Sequence, residues 1–68
     1  MMTGKVRMWS EKGFGFICPD AGGNDVFVHI TRCVDGIEAL HEGQRVQFNE
    51  RESRKKPGTV EAVDVRVI

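Results

Sequence analysis

Lys12-Gly13-Phe14-Gly15-Phe16-Ile17, read together with Val26-Phe27-Val28-His29-Ile30, decides the fold of this chain. Both runs read as β-strands with an apolar core face, and both also set aromatic rings on the face that meets water. Successive side chains on a strand point to opposite sides. In the first run Phe14 and Phe16 therefore share one face while Ile17 points to the other. In the second, Val26 and Val28 take the core face, which leaves Phe27 and His29 outside.

Burial of both faces of such a sheet would make every ring a packing residue. A chain of 68 residues is too short for that, since a domain of this size buries only about 60% of its unfolded surface. Contiguous exposed rings on a small protein mark a binding surface. Lys12 places a cation beside them, and Gly13 and Gly15 leave the backbone bare for a flat partner to approach. Rings and cations together on a sheet are the means by which single-stranded nucleic acid is held.

The first run resembles the first ribonucleoprotein motif of the cold-shock domain family, and Val26-Phe27-Val28-His29 resembles the second. Gly4-Lys5-Val6-Arg7 before the motifs, Asp25 at the head of the second and Glu42-Gly43-Gln44-Arg45-Val46 after them extend the similarity over nearly the whole chain. It looks like a bacterial cold-shock protein made of one domain, residues 1–68. The resemblance implies an oligonucleotide site made of Arg7, Trp9, Lys12, Phe14, Phe16, Asp25, Phe27, His29, Ile30, Ile37 and Lys56.

Three departures from the family bear on that site. Between Val6 and Lys12 this chain is one residue short, so either Met8 stands where the family has its stacking Trp or Trp9 has taken that place. Simple alternation favours Trp9 outside and Met8 inside. Ile30 and Ile37 stand where the family commonly has Phe, and an aliphatic side chain lacks the flat π-face that makes stacking strong.

Taken in order, the chain reads as five short strands. The first covers residues 5–9, with Val6 and Met8 in the core phase, and the turn Ser10-Glu11-Lys12-Gly13 follows. The second covers 14–18 and is joined through a loop of turn formers, Pro19-Asp20-Ala21-Gly22-Gly23-Asn24, to the third at 25–30. Thr31-Arg32-Cys33 suits a single helical turn with Thr31 as its N-cap. Residues 34–43 carry no sustained period and read as a long loop. The fourth strand, 45–51, alternates with Val46 and Phe48 in the core. Ser53-Arg54-Lys55-Lys56-Pro57-Gly58 is a basic turn, either a solvated loop or a phosphate contact. In the last strand, 59–68, Val60 and Ala62 fall in one phase and Val63, Val65 and Val67 in the other, which predicts a bulge near Ala62. Five strands without a sustained helix predict an all-β antiparallel barrel. The resemblance makes it an OB-fold, with the second and third strands carrying the oligonucleotide face.

Composition narrows the function. Ten basic and ten acidic residues give a formal charge of zero, unlike the basic footprint of a duplex-DNA binder. Stacking tolerates that balance because Lys5, Arg7 and Lys12 gather near the rings. Charged residues make up 29% of the chain, and without a long apolar run no membrane span is expected. The start of the chain lacks the apolar region of a signal peptide, which predicts a cytoplasmic protein. Cys18 and Cys33 match no zinc or redox spacing even with His29 and His41 added, so no metal or other cofactor is expected. A cytosolic setting disfavours a disulfide between them.

The expected function is therefore non-catalytic binding of single-stranded RNA and DNA, with no membrane and no small-molecule substrate. The resemblance implies an RNA chaperone that regulates transcription and translation in cold adaptation. A protein-interaction module using the same aromatic patch is the alternative. An enzyme such as a small nuclease lacks a carboxylate cluster or paired histidines to support it. A monomer is expected, with a dimer that exchanges strands through the 34–43 loop as the other arrangement the sequence allows.

Overall fold

The structure is a computed structural model that describes residues 1–54 and 58–68. Five strands, β1 (Met2–Ser10), β2 (Phe14–Pro19), β3 (Val26–His29), β4 (Arg45–Glu52) and β5 (Val60–Val67), close into a barrel in the order β1-β2-β3-β5-β4. This is the all-β barrel that the strand pattern predicts, in the closed five-stranded form of the OB-fold that the resemblance implies. One pairing departs from a purely antiparallel barrel: β3 and β5 run parallel, joined in register at Phe27 and Glu61. The reason is topological. Around a closed ring of five strands up and down cannot alternate at every step, so at least one neighbouring pair must run the same way.

The core is the inward set of the alternation. Val6, Ile17, Val26, Val28, Val46, Phe48, Ala62 and Val65 are buried, one or two from each strand. Leu40 joins them from the long loop. That loop is more ordered than its lack of period suggests. Asp35 and Gly36 both adopt left-handed φ, 61° and 72°, and the amide of Ile37 donates to the carbonyl of Val34 at 3.4 Å. Two successive residues in this conformation make a tight turn, for which Asp-Gly is the favoured pair. The turn sends Ile37 back against the core and lets Leu40 close it.

Two bulges place the side chains that simple alternation misplaces. On β1 the register against β2 shifts between Val6 and Met8, so that Val6 pairs with Ile17 and Met8 with Phe16. Arg7 is the extra residue. The strand continues in the opposite phase, which turns Met8 out and Trp9 in, the reverse of the expected arrangement. On β5 the shift falls two residues beyond the expected Ala62. Gln47 pairs with Arg66 and Asn49 with Val63, leaving Asp64 and Val65 opposite Phe48. Asp64 takes a φ of 53°, a conformation Asp tolerates better than most residues. The bulge lets Ala62 and Val65, of unlike parity, both point inward.

The expected helical turn is a 3-10 turn over Ile30–Arg32, capped by His29 rather than Thr31. His29 Nδ1 accepts from the Thr31 amide at 3.2 Å. The imidazole supplies the acceptor that a Thr hydroxyl was expected to give. Among the described residues no helix is long and apolar enough to cross a membrane.

Candidate nucleic-acid interface

The outer face of β2 and β3 carries the ring cluster. Phe14 lies opposite His29 and Phe16 opposite Phe27 in the antiparallel ladder, so all four side chains stand on one side. Phe27 is the centre. Its ring lies 6.0 Å from that of Phe14, nearly parallel at 26°, and 5.8 Å from that of Phe16, edge-on at 73°. Both arrangements suit the aromatic quadrupole. The rings are partly buried against one another and keep a face open.

Met8 extends the cluster on the β1 side. It pairs with Phe16 and is 39% exposed. Trp9, expected on this face, instead pairs with Gly15, which lies opposite the core residue Val28. Trp9 packs against the core. On this face Met8, not Trp9, takes the outward place. The β1 bulge is what hides this from a reading by alternation.

The two glycines of the motif serve the barrel rather than a partner. A Cβ on Gly15 would fall on the Met8 carbonyl oxygen and lie 2.8 Å from Trp9 Cε3, so the bare backbone is filled from within by Trp9. Gly13 adopts φ 93° and donates its amide to the Ser10 carbonyl at 3.0 Å, closing the β1–β2 turn. Ile30 packs over Gly13, its Cγ2 lying 3.1 Å from where a Cβ would stand. Because β3 ends at His29, Ile30 leaves the alternation and is only partly buried. Ile37 lies against the core.

The cations divide into paired and unpaired. Arg7 Nε lies 2.8 Å from Asp25 Oδ2, and its terminal nitrogen donates to Cys18 Sγ at 3.6 Å. These contacts hold the Arg7 guanidinium above its ordinary pKa, the Asp25 hydrogen bond first and Cys18 second. Lys12, by contrast, has no ion pair among the described residues. Lys56 lies outside the described residues, as do Lys55 and Pro57.

Beyond the rings the face deepens into a concavity of about 1010 Å³ that runs across β3 to the ends of β4 and β5. Phe16, Phe27 and His29 line it, together with Thr31, Arg32 and Arg54. Arg54 belongs to the basic turn that the sequence offers as a phosphate contact, whereas Arg32, at the end of the 3-10 turn that follows β3, is a cation that a reading centred on the rings leaves out. Among the described residues no three His, Cys, Asp or Glu side chains gather as a metal-holding group.

Residues 2–68 match the family described as 'Cold-shock' DNA-binding domain. The chain is 52% identical over 58 positions to the cold shock-like protein CspA of Vibrio cholerae, an alignment covering 82% of this chain and 83% of that protein. It is 44% identical over 70 positions to the cold shock-like protein CspA of Stigmatella aurantiaca, covering 100% of this chain and 98% of the relative. With the cold shock-like protein CspE of Bacillus anthracis the identity is 50% over 58 positions, 82% of this chain and 85% of the other.

Proposed function

Because the chain belongs to the cold-shock domain family, we propose that it binds single-stranded RNA and DNA by stacking bases on Phe14, Phe16 and Phe27, with His29 and Met8 at the margins. The observation that carries this reading is the central position of Phe27, within 6.0 Å of Phe14 and 5.8 Å of Phe16. Three partly open rings in a row offer successive bases a continuous platform. Base-on-ring stacking is worth about 1 to 3 kcal/mol per base and tolerates any sequence. Lys12 and Lys5 supply charge for the phosphates without the strongly basic surface that a duplex binder carries.

Binding of this kind acts on RNA structure by mass action. A protein that holds unpaired bases and leaves paired ones alone shifts a hairpin toward its open form, as a ligand shifts any two-state equilibrium. That is RNA-chaperone activity. It requires no catalytic group and no cofactor, and it suits a cytoplasmic monomer that regulates transcription and translation when cold stabilises weak RNA structure.

Fluorescence anisotropy with labelled heptathymidylate and with a blunt duplex of the same length tests the reading. The single strand is expected to bind and the duplex to leave the protein free. A weak RNA hairpin carrying a fluorophore and a quencher should open as protein is added, without cleavage of the strand. Absence of single-strand binding would overturn the reading and favour a protein partner for the aromatic patch.

A further inference from the structure

Four register pairings place five side chains in one row across the outer face. Met8 pairs with Phe16, Phe16 with Phe27, Phe27 with Glu61 and Glu61 with Arg51. Paired residues on neighbouring strands share a face, so the row takes one side chain from each of the five strands. It begins with a thioether and two rings and ends, across the parallel seam, in an ion pair. Arg51 Nε lies 2.8 Å from Glu61 Oε1.

That ion pair has hydrogen-bonding capacity left over. Among the described residues Glu61 has Arg51 Nε as its partner on Oε1, which leaves Oε2 to accept. The two terminal nitrogens of Arg51 have no acceptor among the described residues, and a guanidinium offers five N–H groups in a planar fork. Glu61 is held close to the ring, its side chain 17% exposed, while Arg51 is more open at 39%. Both line the concavity that Phe16, Phe27 and His29 also line.

A carboxylate beside a stacking ring repels a phosphate and a base carbonyl, and it attracts an amino group. We propose that the Glu61–Arg51 pair is the base-selecting end of this face and favours cytosine over uracil or thymine at the nucleotide stacked on Phe27. Cytosine presents its N4 amino group beside the N3 and O2 acceptors. Glu61 Oε2 accepts from N4, and the Arg51 fork donates to N3 and O2, with the ion pair left intact. Uracil and thymine place a carbonyl where cytosine has its amino group, so Glu61 meets a second acceptor. Acceptance from cytosine N4 by a carboxylate is an established means of base discrimination, as is bidentate donation by arginine. This inference rests on the nucleic-acid reading given above and deepens it.

The test uses heptauridylate and seven derivatives in which one uridine at a time is replaced by cytidine, with affinity measured by anisotropy. One register is expected to tighten about tenfold with cytidine, the worth of one well-made base contact. The isosteric Glu61→Gln protein should lose the cytidine preference, because an amide can turn either its acceptor or its donor toward the base. A thermal melt of the same variant establishes that it is folded. If heptauridylate binds but no register prefers cytidine, or if Glu61→Gln keeps the preference, the inference is overturned. Failure of every oligonucleotide to bind would instead overturn the nucleic-acid reading itself.

Discussion

The guanidinium of Arg7 spans β2 to reach the carboxylate of Asp25, Nε to Oδ2 at 2.8 Å, with Cys18 beneath it. Arg7 is the bulged residue of β1 and Asp25 immediately precedes β3, so the pair ties together strands that are not neighbours in the sheet. It also ties up a positive charge that a phosphate would otherwise meet. The side chains are 58% and 31% exposed, and an ion pair so open to water adds little to the stability of the fold.

Replacing Asp25 with Asn should therefore leave the melting temperature nearly unchanged while releasing Arg7 for the ligand. The log-log salt slope of oligothymidine binding should become more negative by about 0.7, the contribution of one phosphate on a single strand. Dissociation constants over a salt series give the slope directly. An unchanged slope would place Arg7 off the phosphate path.

Phe27→Ala should cost more binding than Phe14→Ala or Phe16→Ala, because it removes the ring on which both others lean. A loss at the upper end of about 1 to 3 kcal/mol is expected, against the lower end for either neighbour. Anisotropy below the melting transition of each variant measures it. Equal losses at the three positions would mean that each ring holds its base independently.

Met8→Trp should tighten oligothymidine binding by about 1 kcal/mol, since a flat ring replaces a thioether at the outward place beside Phe16. The new indole should also report binding by a change in its fluorescence. Trp9 in the unaltered protein, turned inward over Gly15, should change little. A large Trp9 signal on binding would contradict the inward placement.

Gly15→Ala should destabilise the fold by about 3 kcal/mol, at the upper end of overpacking effects. The added carbon meets a backbone oxygen and the flank of Trp9, neither of which is the free end of a flexible chain. Urea denaturation gives the change in midpoint. A cost near zero would show that β1 can move away from β2.

Acid should expose the contribution of Asp20. Arg45 donates to both of its oxygens at 2.7 Å and Thr3 donates at 2.7 Å. These contacts, Arg45 before Thr3, lower its pKa to about 2. The value in the unfolded chain is about 3.9, so the carboxylate form is favoured by folding. The resulting stability is complete above about pH 4 and is lost as pH falls from there toward about 2. The melting temperature of Asp20→Asn should accordingly fall less steeply over that interval than that of the unaltered protein, when the two are melted in parallel.

Much of the candidate face was legible in the sequence because β2 and β3 alternate without interruption. Phe14, Phe16, Phe27 and His29 stand outside and Ile17, Val26 and Val28 inside, as a period of two requires. The misplacements arise where the period breaks. A bulge adds one residue without a local signature, so nothing between Val6 and Ser10 says that Arg7 is the extra one. Every side chain after it then changes face, and Met8 and Trp9 exchange roles. The β5 bulge was foreseeable because two valine phases conflict, and its displacement to Asp64 reflects which residue tolerates a positive φ. Leu40 was missed because a lone apolar residue in an aperiodic loop carries no phase. The Glu61–Arg51 pair was missed for another reason: its place beside Phe27 depends on a parallel seam between strands far apart in the chain.

The odd number of strands has a consequence for how the barrel breathes. Its parallel seam is joined in register at a single residue pair, Phe27 and Glu61, and a ladder that short is where local opening of the wall is expected to cost least. A nucleic acid laid along the row from Met8 to Arg51 touches side chains on both sides of that seam. Opening must then release the ligand first. In the proposed binding mode the strand would work as a hoop around the staves, and slowed amide exchange at Phe27 and Glu61 would be its signature, in excess of any slowing at the β1–β4 pairing on the far side of the barrel.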